Sequence, residues 1–389
     1  MEDGNLIPRR RALSRILSSS AGAAFALGAS GCTRKLPPKL DRSYHFLCAD
    51  APEITTPGKL IGPDGRSRCG WMRHPLLDLN LEDARFYVVP PLQQSRLKKW
   101  EMYYLITPTH YLSFLPAWIG YAAFAEIAVY DRQARTWQNR FHLRGPIPKF
   151  PMMRNSNSGI TEFAAGKDRL RIEVSGDRRN LTIDFPGFPG GFRAEIKLHH
   201  PAGLESICGV HLDNPRRVFY GEKVTSMPAH GSYRIGGEEF PLDPERSWGL
   251  LDFGRGYYPL KKFWYWATAS GRAEDGAVVG WNLGYGNSSE ETTENALFHN
   301  GRLHKLGRVK VELDFQDFYR PWRVWSDDGR VDLSFTPENV RFNQLDLGLL
   351  YSVGRTALGL FNGSMVLDSG ARIAVRDLFG LFEVVDQRW

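Results

Sequence analysis

The sequence predicts an all-β protein with short helices only, and three observations carry that prediction. From Tyr44 onward, short runs alternate apolar with polar residues, the two-residue period of a strand, and no long amphipathic helical stretch intervenes. Those runs are punctuated by turn formers, drawn from 39 Gly and 24 Pro as well as Asn and Asp. Aromatic residues make up 13% of the chain, and wide rings suit the pleated surface of a sheet.

The alternating runs fall, in order, at 85–89, 100–106, 125–130, 170–174, 181–185 and 192–198. They continue at 231–235, 263–269, 278–283, 309–315, 331–335, 357–360, 364–367 and 373–375. Short strands joined by tight turns point to barrels or sandwiches. The segment 112–125 carries no charge, but Pro116 and Gly120 interrupt it and Glu126 follows at once. It is too short for a bilayer and reads as two buried strands around a turn. The run Pro186-Gly187-Phe188-Pro189-Gly190-Gly191 is a turn or loop, and Asn300-Gly301 is a two-residue hairpin turn. A chain of 389 residues suits two domains. The polar stretch 213–217 marks the expected boundary, giving halves 44–215 and 216–389, each the size of one calycin-type barrel.

Ahead of this body lies an address. Arg9-Arg10-Arg11-Ala12-Leu13 is similar to a twin-arginine export signal, and residues 16–31 are uncharged and rich in Ala, Ser and Gly. The segment ends Ala29-Ser30-Gly31-Cys32, which resembles a lipoprotein cleavage box with Cys32 as the acylated residue. Residues 1–31 are then the signal and 32–43 a polar tether, placing the body, lipid-anchored, on the periplasmic side of a bacterial membrane. Export permits a disulfide among the other cysteines, Cys48, Cys69 and Cys208; Cys48 with Cys69 is the local choice, and the other pairings stay open.

Several function classes lose their support. The formal charge is +7, and the first 31 residues contribute +2 of it; the rest shows no dense basic tract that would follow a phosphate backbone, so no nucleic acid is expected. There is no GxSxG, GxGxxG, P-loop or HExxH signature. His199, His200 and His211 lack zinc spacing and read as loop or surface residues, and His299 and His304 flank a turn. No metal and no cofactor are expected.

The densest chemistry lies in the second half. Trp248, Phe253, Tyr257, Tyr258, Phe263, Trp264, Tyr265 and Trp266 fall within nineteen residues around Asp252 and Arg255. On a strand, Trp264 and Trp266 share one face and Phe263 and Tyr265 the other. Asp252 and Arg255, read across a glycine-flanked loop, are expected to pair. Asp252 or Glu294 is a candidate general acid: a protonated carboxyl in an apolar pocket can protonate an alkene while π-faces stabilise the cation. Asn295 would orient a water. Trp248, Arg255, Tyr257, Trp264, Trp266, Asn295 and Trp322 are candidate ligand-binding residues. Glu383 is a third acid, expected to pair with an arginine near the closing strand.

Leu251-Asp252-Phe253-Gly254-Arg255-Gly256, the Trp264/Trp266 strand, Thr293-Glu294-Asn295, Pro321-Trp322 and the closing Gly380, Glu383 and Arg388-Trp389 together resemble the bacterial domain-of-unknown-function family 2804. Gly70-Trp71 and Lys99-Trp100 fit the same pattern, so the resemblance runs from about residue 70 to the end. It implies a distant relation to tandem lipocalin-like proteins, among them carotenoid hydratases and survival-factor-like lipid binders. From this follow two tandem lipocalin-like (calycin-type) β-barrels and a hydrophobic ligand, a lipid or isoprenoid-like molecule, held at or between them. No catalytic residue is carried over by the resemblance. The leading expectation is a lipid-binding or lipid-handling protein. A cofactor-free hydratase, isomerase or cyclase is the alternative, and a structural envelope protein the third.

Overall fold

A computed structural model describes residues 51–145, 150–214, 217–285, 294–346 and 348–389. The export signal, Cys32, the tether and Cys48 lie outside the described residues.

The chain enters through β1 (Gly58–Lys59), β2 (Gly70–Met72), β3 (Leu77–Asp78) and the seven-residue α1 (Pro90–Arg96). A first sheet is then laid down by β4 (Leu97–Ile106), β5 (His110–Trp118), β6 (Ala123–Asp131), β7 (Thr136–Arg144), β8 (Gly159–Ala165) and β9 (Asp168–Ser175). It is completed by β10 (Arg178–Phe185), β11 (Phe192–His199), β12 (Ile207–Asn214), β13 (Arg217–Ile235), β14 (Glu238–Pro241) and β15 (Trp248–Tyr257). The second sheet comprises β16 (Lys261–Arg272), β17 (Val278–Tyr285), β18 (Ala296–His299), β19 (Arg302–Lys305), β20 (Val309–Glu312), β21 (Trp322–Ser326), β22 (Val331–Asp346), β23 (Tyr351–Val366) and β24 (Arg372–Arg388).

The first sheet runs β7-β6-β5-β4-β15-β13-β11-β10-β9-β8, with β12, β2 and β14 attached, and the second runs β19-β18-β17-β16-β24-β23-β22-β21-β20. All the described pairings in these two sheets are antiparallel, and each sheet curls around its own core as a near-barrel. The period-2 pattern is plainest in β11, where Phe192, Ala194, Ile196 and Leu198 are buried and Arg193, Glu195 and Lys197 are exposed. Strands β4, β15 and β16 are buried on both faces, because each lines a barrel interior on one side and the other sheet on its back.

The uncharged 112–125 segment forms most of the β5–β6 hairpin, and 186–190 is a turn. Asn300 and Gly301 close the β18–β19 hairpin with φ of 47° and 81°, the left-handed pair that a type I′ turn requires. Two expectations change. Residues 85–89 are not a strand: Pro90 and Pro91 follow, and a ring without an N–H suits the first turn of α1 rather than a ladder. No boundary falls at 213–217: β12 and β13, on either side of it, pair antiparallel, and β13 and β15 both belong to the first sheet, which yields to the second between Tyr257 and Lys261.

The cores differ in chemistry. The second is packed with rings: Trp322 lies 4.8 Å from Phe382, Phe335 4.6 Å from Phe361, and Trp281 5.0 Å from Phe361. The first mixes apolar side chains with buried charge. Arg255 donates to Glu101 at 2.6 Å and to the Met153 carbonyl at 3.0 Å, Thr161 donates to Glu101 at 2.7 Å, and Arg179 donates to the Ser156 carbonyl at 2.6 Å. Cys69 is disulfide-bonded, and Cys208 is a buried free thiol on the inner face of β12.

Candidate functional site

The two sheets meet back to back along a seam with a core of its own. Tyr104, Ile106, Tyr111, Tyr130 and Leu250 from the first sheet pack against Trp266, Leu358, Phe379 and Leu381 from the second, with Met102 and Trp264 alongside. Trp266 and Tyr104 have ring centroids 5.5 Å apart. Ser226 stitches the sheets together: at a bulge of β13, with φ of 60°, its N–H donates to the Ser270 hydroxyl and its own hydroxyl donates to the Val279 carbonyl.

Beside this apolar core lies a buried charged cluster assembled from both sheets. Alternation along β15 points Asp252 into the seam and Arg255 into the first barrel, so the expected Asp252–Arg255 pair does not form. Asp252 instead accepts from Lys223 of β13 at 2.6 Å and from the Trp100 indole of β4 at 3.0 Å. Lys223 also lies 3.4 Å from Glu294, which approaches from the second sheet, and the Glu294 carboxylate is 3.3 Å from His211 Nε2. His211 is therefore a buried seam residue, not the surface histidine expected from sequence.

Close approach is possible because the first sheet has no side chain where Glu294 lands. A Cβ on Gly221 would clash with the Glu294 carboxylate, and one on Gly209 would crowd His211 Nε2 and Glu294 Cγ. We expect Gly221→Ala to push Glu294 off Lys223 and to cost ~1–3 kcal/mol, read as a lower urea midpoint at unchanged slope. An unchanged midpoint would mean that the carboxylate swings aside freely.

The seam separates its carboxyls electrostatically. Burial alone would raise Glu294, but the Lys223 ammonium and His211 outweigh it and hold the carboxyl at about 2. Lys223 is raised: the desolvation that would lower it is overcome by Asp252 and Glu294. His211 is lowered by burial, against the pull of Glu294, so its imidazole is neutral at pH 7. Glu383 of β24 behaves oppositely to Glu294. Burial pushes it up to about 7, despite hydrogen bonds from Thr356 and Trp264, and the negative charge of Asp252 pushes the same way. Thr356 donates to it at 3.2 Å, and its cross-strand neighbour on β16 is Trp266. The expected arginine pair is replaced by these neutral donors, with Arg341 acting only at longer range.

Of the residues singled out from sequence, Asp252, Glu294, Trp264 and Trp266 gather at the seam, and Trp248 is buried on the same face of β15 as Asp252. Arg255 and Tyr257 face the first barrel, where Tyr257 donates to the Leu81 carbonyl at 2.9 Å, and Trp322 lies in the second core. Asn295 is engaged by the backbone, accepting from Gly284 at 2.6 Å and donating to Gly307 at 2.9 Å. Lys223 and Trp100 were not singled out as site residues. The adjacent Glu222-Lys223 pair inside an aromatic, β-branched run was the available signal, since two neighbouring charges there must face opposite buried sides.

The family model described as domain of unknown function (DUF2804) matches residues 51–389. No curated protein matches the chain significantly. Among solved structures, the chain is similar to an AttH protein of Nitrosomonas europaea, with 14% sequence identity, a TM-score of 0.45, and coverage of 74% of this chain and 92% of that one. It is also similar to kievitone hydratase from Nectria haematococca, with 12% identity, a TM-score of 0.44, and coverage of 77% and 93%. Because the family model spans the whole described body, the chain belongs to the DUF2804 family.

Proposed function

We propose that the seam takes up a hydrophobic, unsaturated molecule and adds water to it, or shifts its double bond, by acid–base catalysis. The observation that carries this reading is the pairing of a carboxyl near neutrality, Glu383, with an ionised one, Glu294, on one aromatic-lined seam. The barrel interiors suit such a ligand less well, since one is filled by rings and the other crossed by ion pairs.

Glu383 donates its proton to an alkene carbon, and the carbocation forms against the π-faces of Trp264, Trp266 and Tyr104. Water attacks the cation and gives up a proton to His211, whose imidazole is neutral and is oriented by ionised Glu294. Alternatively, a neighbouring carbon loses the proton, which gives the isomer. A proton returned from His211 through solvent restores Glu383. Asp252, saturated by Lys223 and Trp100, holds the ammonium in place and is not the acid.

The test is to incubate organic extracts of the host with purified protein and follow them by mass spectrometry. Wild type is expected to yield a product heavier by one water or an isomer of unchanged mass. Glu383→Gln should lower turnover by about 10²–10⁴-fold while still retaining the substrate through purification. A stoichiometric bound lipid that neither protein converts would overturn the catalytic reading and leave a carrier.

A further inference from the structure

We propose that one end of the molecule, where the seam meets the surface, docks on an anionic lipid bilayer. This rests on the seam reading only for what docking would deliver, a membrane-dissolved ligand.

Strand pairing brings separate chain segments to this end. Leu97 at the start of β4 pairs with Tyr257 at the end of β15, and Lys261 at the start of β16 pairs with Arg388, which in turn pairs with Tyr351 at the β22–β23 tip. Arg96 ties the segments together by donating to the carbonyls of Trp389 at 2.8 Å and Tyr258 at 2.7 Å, and the Trp389 N–H donates to the Leu260 carbonyl.

Large apolar side chains stand out from each segment. Val88 is 99% exposed, and Val89 and Leu92 are about half exposed, all beside Pro90 and Pro91. Leu260 projects from the β15–β16 connection, and Leu345 and Leu349 from the β22–β23 tip, Leu349 at 75%. These six are the majority of the eleven exposed large apolar residues among the described residues. Pro90 and Pro91 cannot offer backbone donors, which lowers the cost of placing this corner in an apolar layer.

Four basic side chains stand around them, against an exposed Asp346 on the β22–β23 tip. Lys261 is exposed, and Arg96, Lys99 and Arg388 are half-buried. Asp386 is buried and lies 4.0 Å from Lys261. Apolar tips within a basic surround are complementary to anionic headgroups over an acyl layer, whereas a second copy would set like charges against each other. Between Cys32 and Ala51 there are eighteen residues, with a reach of up to roughly 65 Å, enough for an acylated Cys32 to share the bilayer with this end.

The experiment uses the chain from residue 32 with Cys32→Ser, so that no acyl group contributes, and co-sedimentation with phosphatidylglycerol/phosphatidylethanolamine vesicles. The parent should bind them, and bind phosphatidylcholine vesicles at least fivefold more weakly. The triple variant Val88→Asp, Leu92→Asp, Leu349→Asp should lose at least tenfold in partitioning with an unchanged circular dichroism spectrum. Its matched control, Phe141→Asp, Leu143→Asp, Ile160→Asp, carries the same charge elsewhere and should bind as the parent does. Equal loss in both triples, loss in neither, or sedimentation of the parent without vesicles would overturn the proposal. Glu383→Gln should bind vesicles normally, and the docking triple should still convert detergent-dispersed extract, so failure of docking and failure of the seam chemistry are told apart.

Discussion

Replacing Lys223 with Met is expected to cost about 3–5 kcal/mol, measured as the loss in unfolding free energy in urea at pH 7. The ammonium is buried and serves two carboxylates from different sheets, Asp252 at 2.6 Å and Glu294 at 3.4 Å. Methionine fills nearly the same volume, so the loss reports charge rather than a cavity. Without the cation, two carboxylates face each other in a buried seam, and the main force holding Glu294 at about 2 is gone. Glu294 should then take up a proton, and the deficit should shrink as the pH is lowered from 7 towards 5. Adding Glu294→Gln should recover part of the loss at pH 7, because one uncompensated charge is removed. A deficit below about 1 kcal/mol would mean that water reaches the cluster and screens it.

What the sequence shows and hides follows from how far apart the partners lie along the chain. Period-2 alternation in 170–174 and 192–198, and the Asn300-Gly301 turn, are local signals, and the structure repeats them. The placement of β15 is not local: it pairs with β4, about 150 residues earlier, and this captures 248–257 for the first sheet. A boundary read from polarity at 213–217 could not register that, because a polar connection between two paired strands reads in sequence like a linker between domains. The Asp252–Arg255 expectation failed on geometry: two strand residues three apart face opposite sides, and the glycines that suggested a loop leave room for close packing, as where the Trp100 indole crosses Gly254. His211 read as a surface residue for want of a neighbouring ligand in sequence; its partner Glu294 is 83 positions away. Aromatic density did locate the seam strand, but it could not say which carboxyl keeps a proton. That depends on whether a cation stands opposite, and Lys223 stands opposite Asp252 and Glu294 but not Glu383.

Glu383→Gln is therefore expected to be more stable than wild type above pH 7, even as it loses turnover. The folded-state value of Glu383 is about 7 against an ordinary 4.5, so from pH 4.5 upward the folded protein holds a proton that the unfolded chain has already released. A group raised in this way stabilises fully below 4.5, and its contribution falls as the pH climbs through 7. The shift corresponds to roughly 3 kcal/mol lost across that window. Glutamine keeps the shape and the polar contacts to Thr356 and Trp264 but cannot ionise, so the variant should run level with wild type near pH 4.5 and pull ahead by about 2–3 kcal/mol at pH 8. Glu294 changes stability in the opposite sense and in another range: its benefit is present above 4.5 and is lost as the pH falls towards 2, so it does not blur the comparison. Urea unfolding of both proteins from pH 4.5 to 8 would check this, with parallel curves as the contrary result. A carboxyl that destabilises the fold at neutral pH is a poor structural choice, since glutamine would hold the same hydrogen bonds at less cost. Its presence is better accounted for by a proton that has work to do.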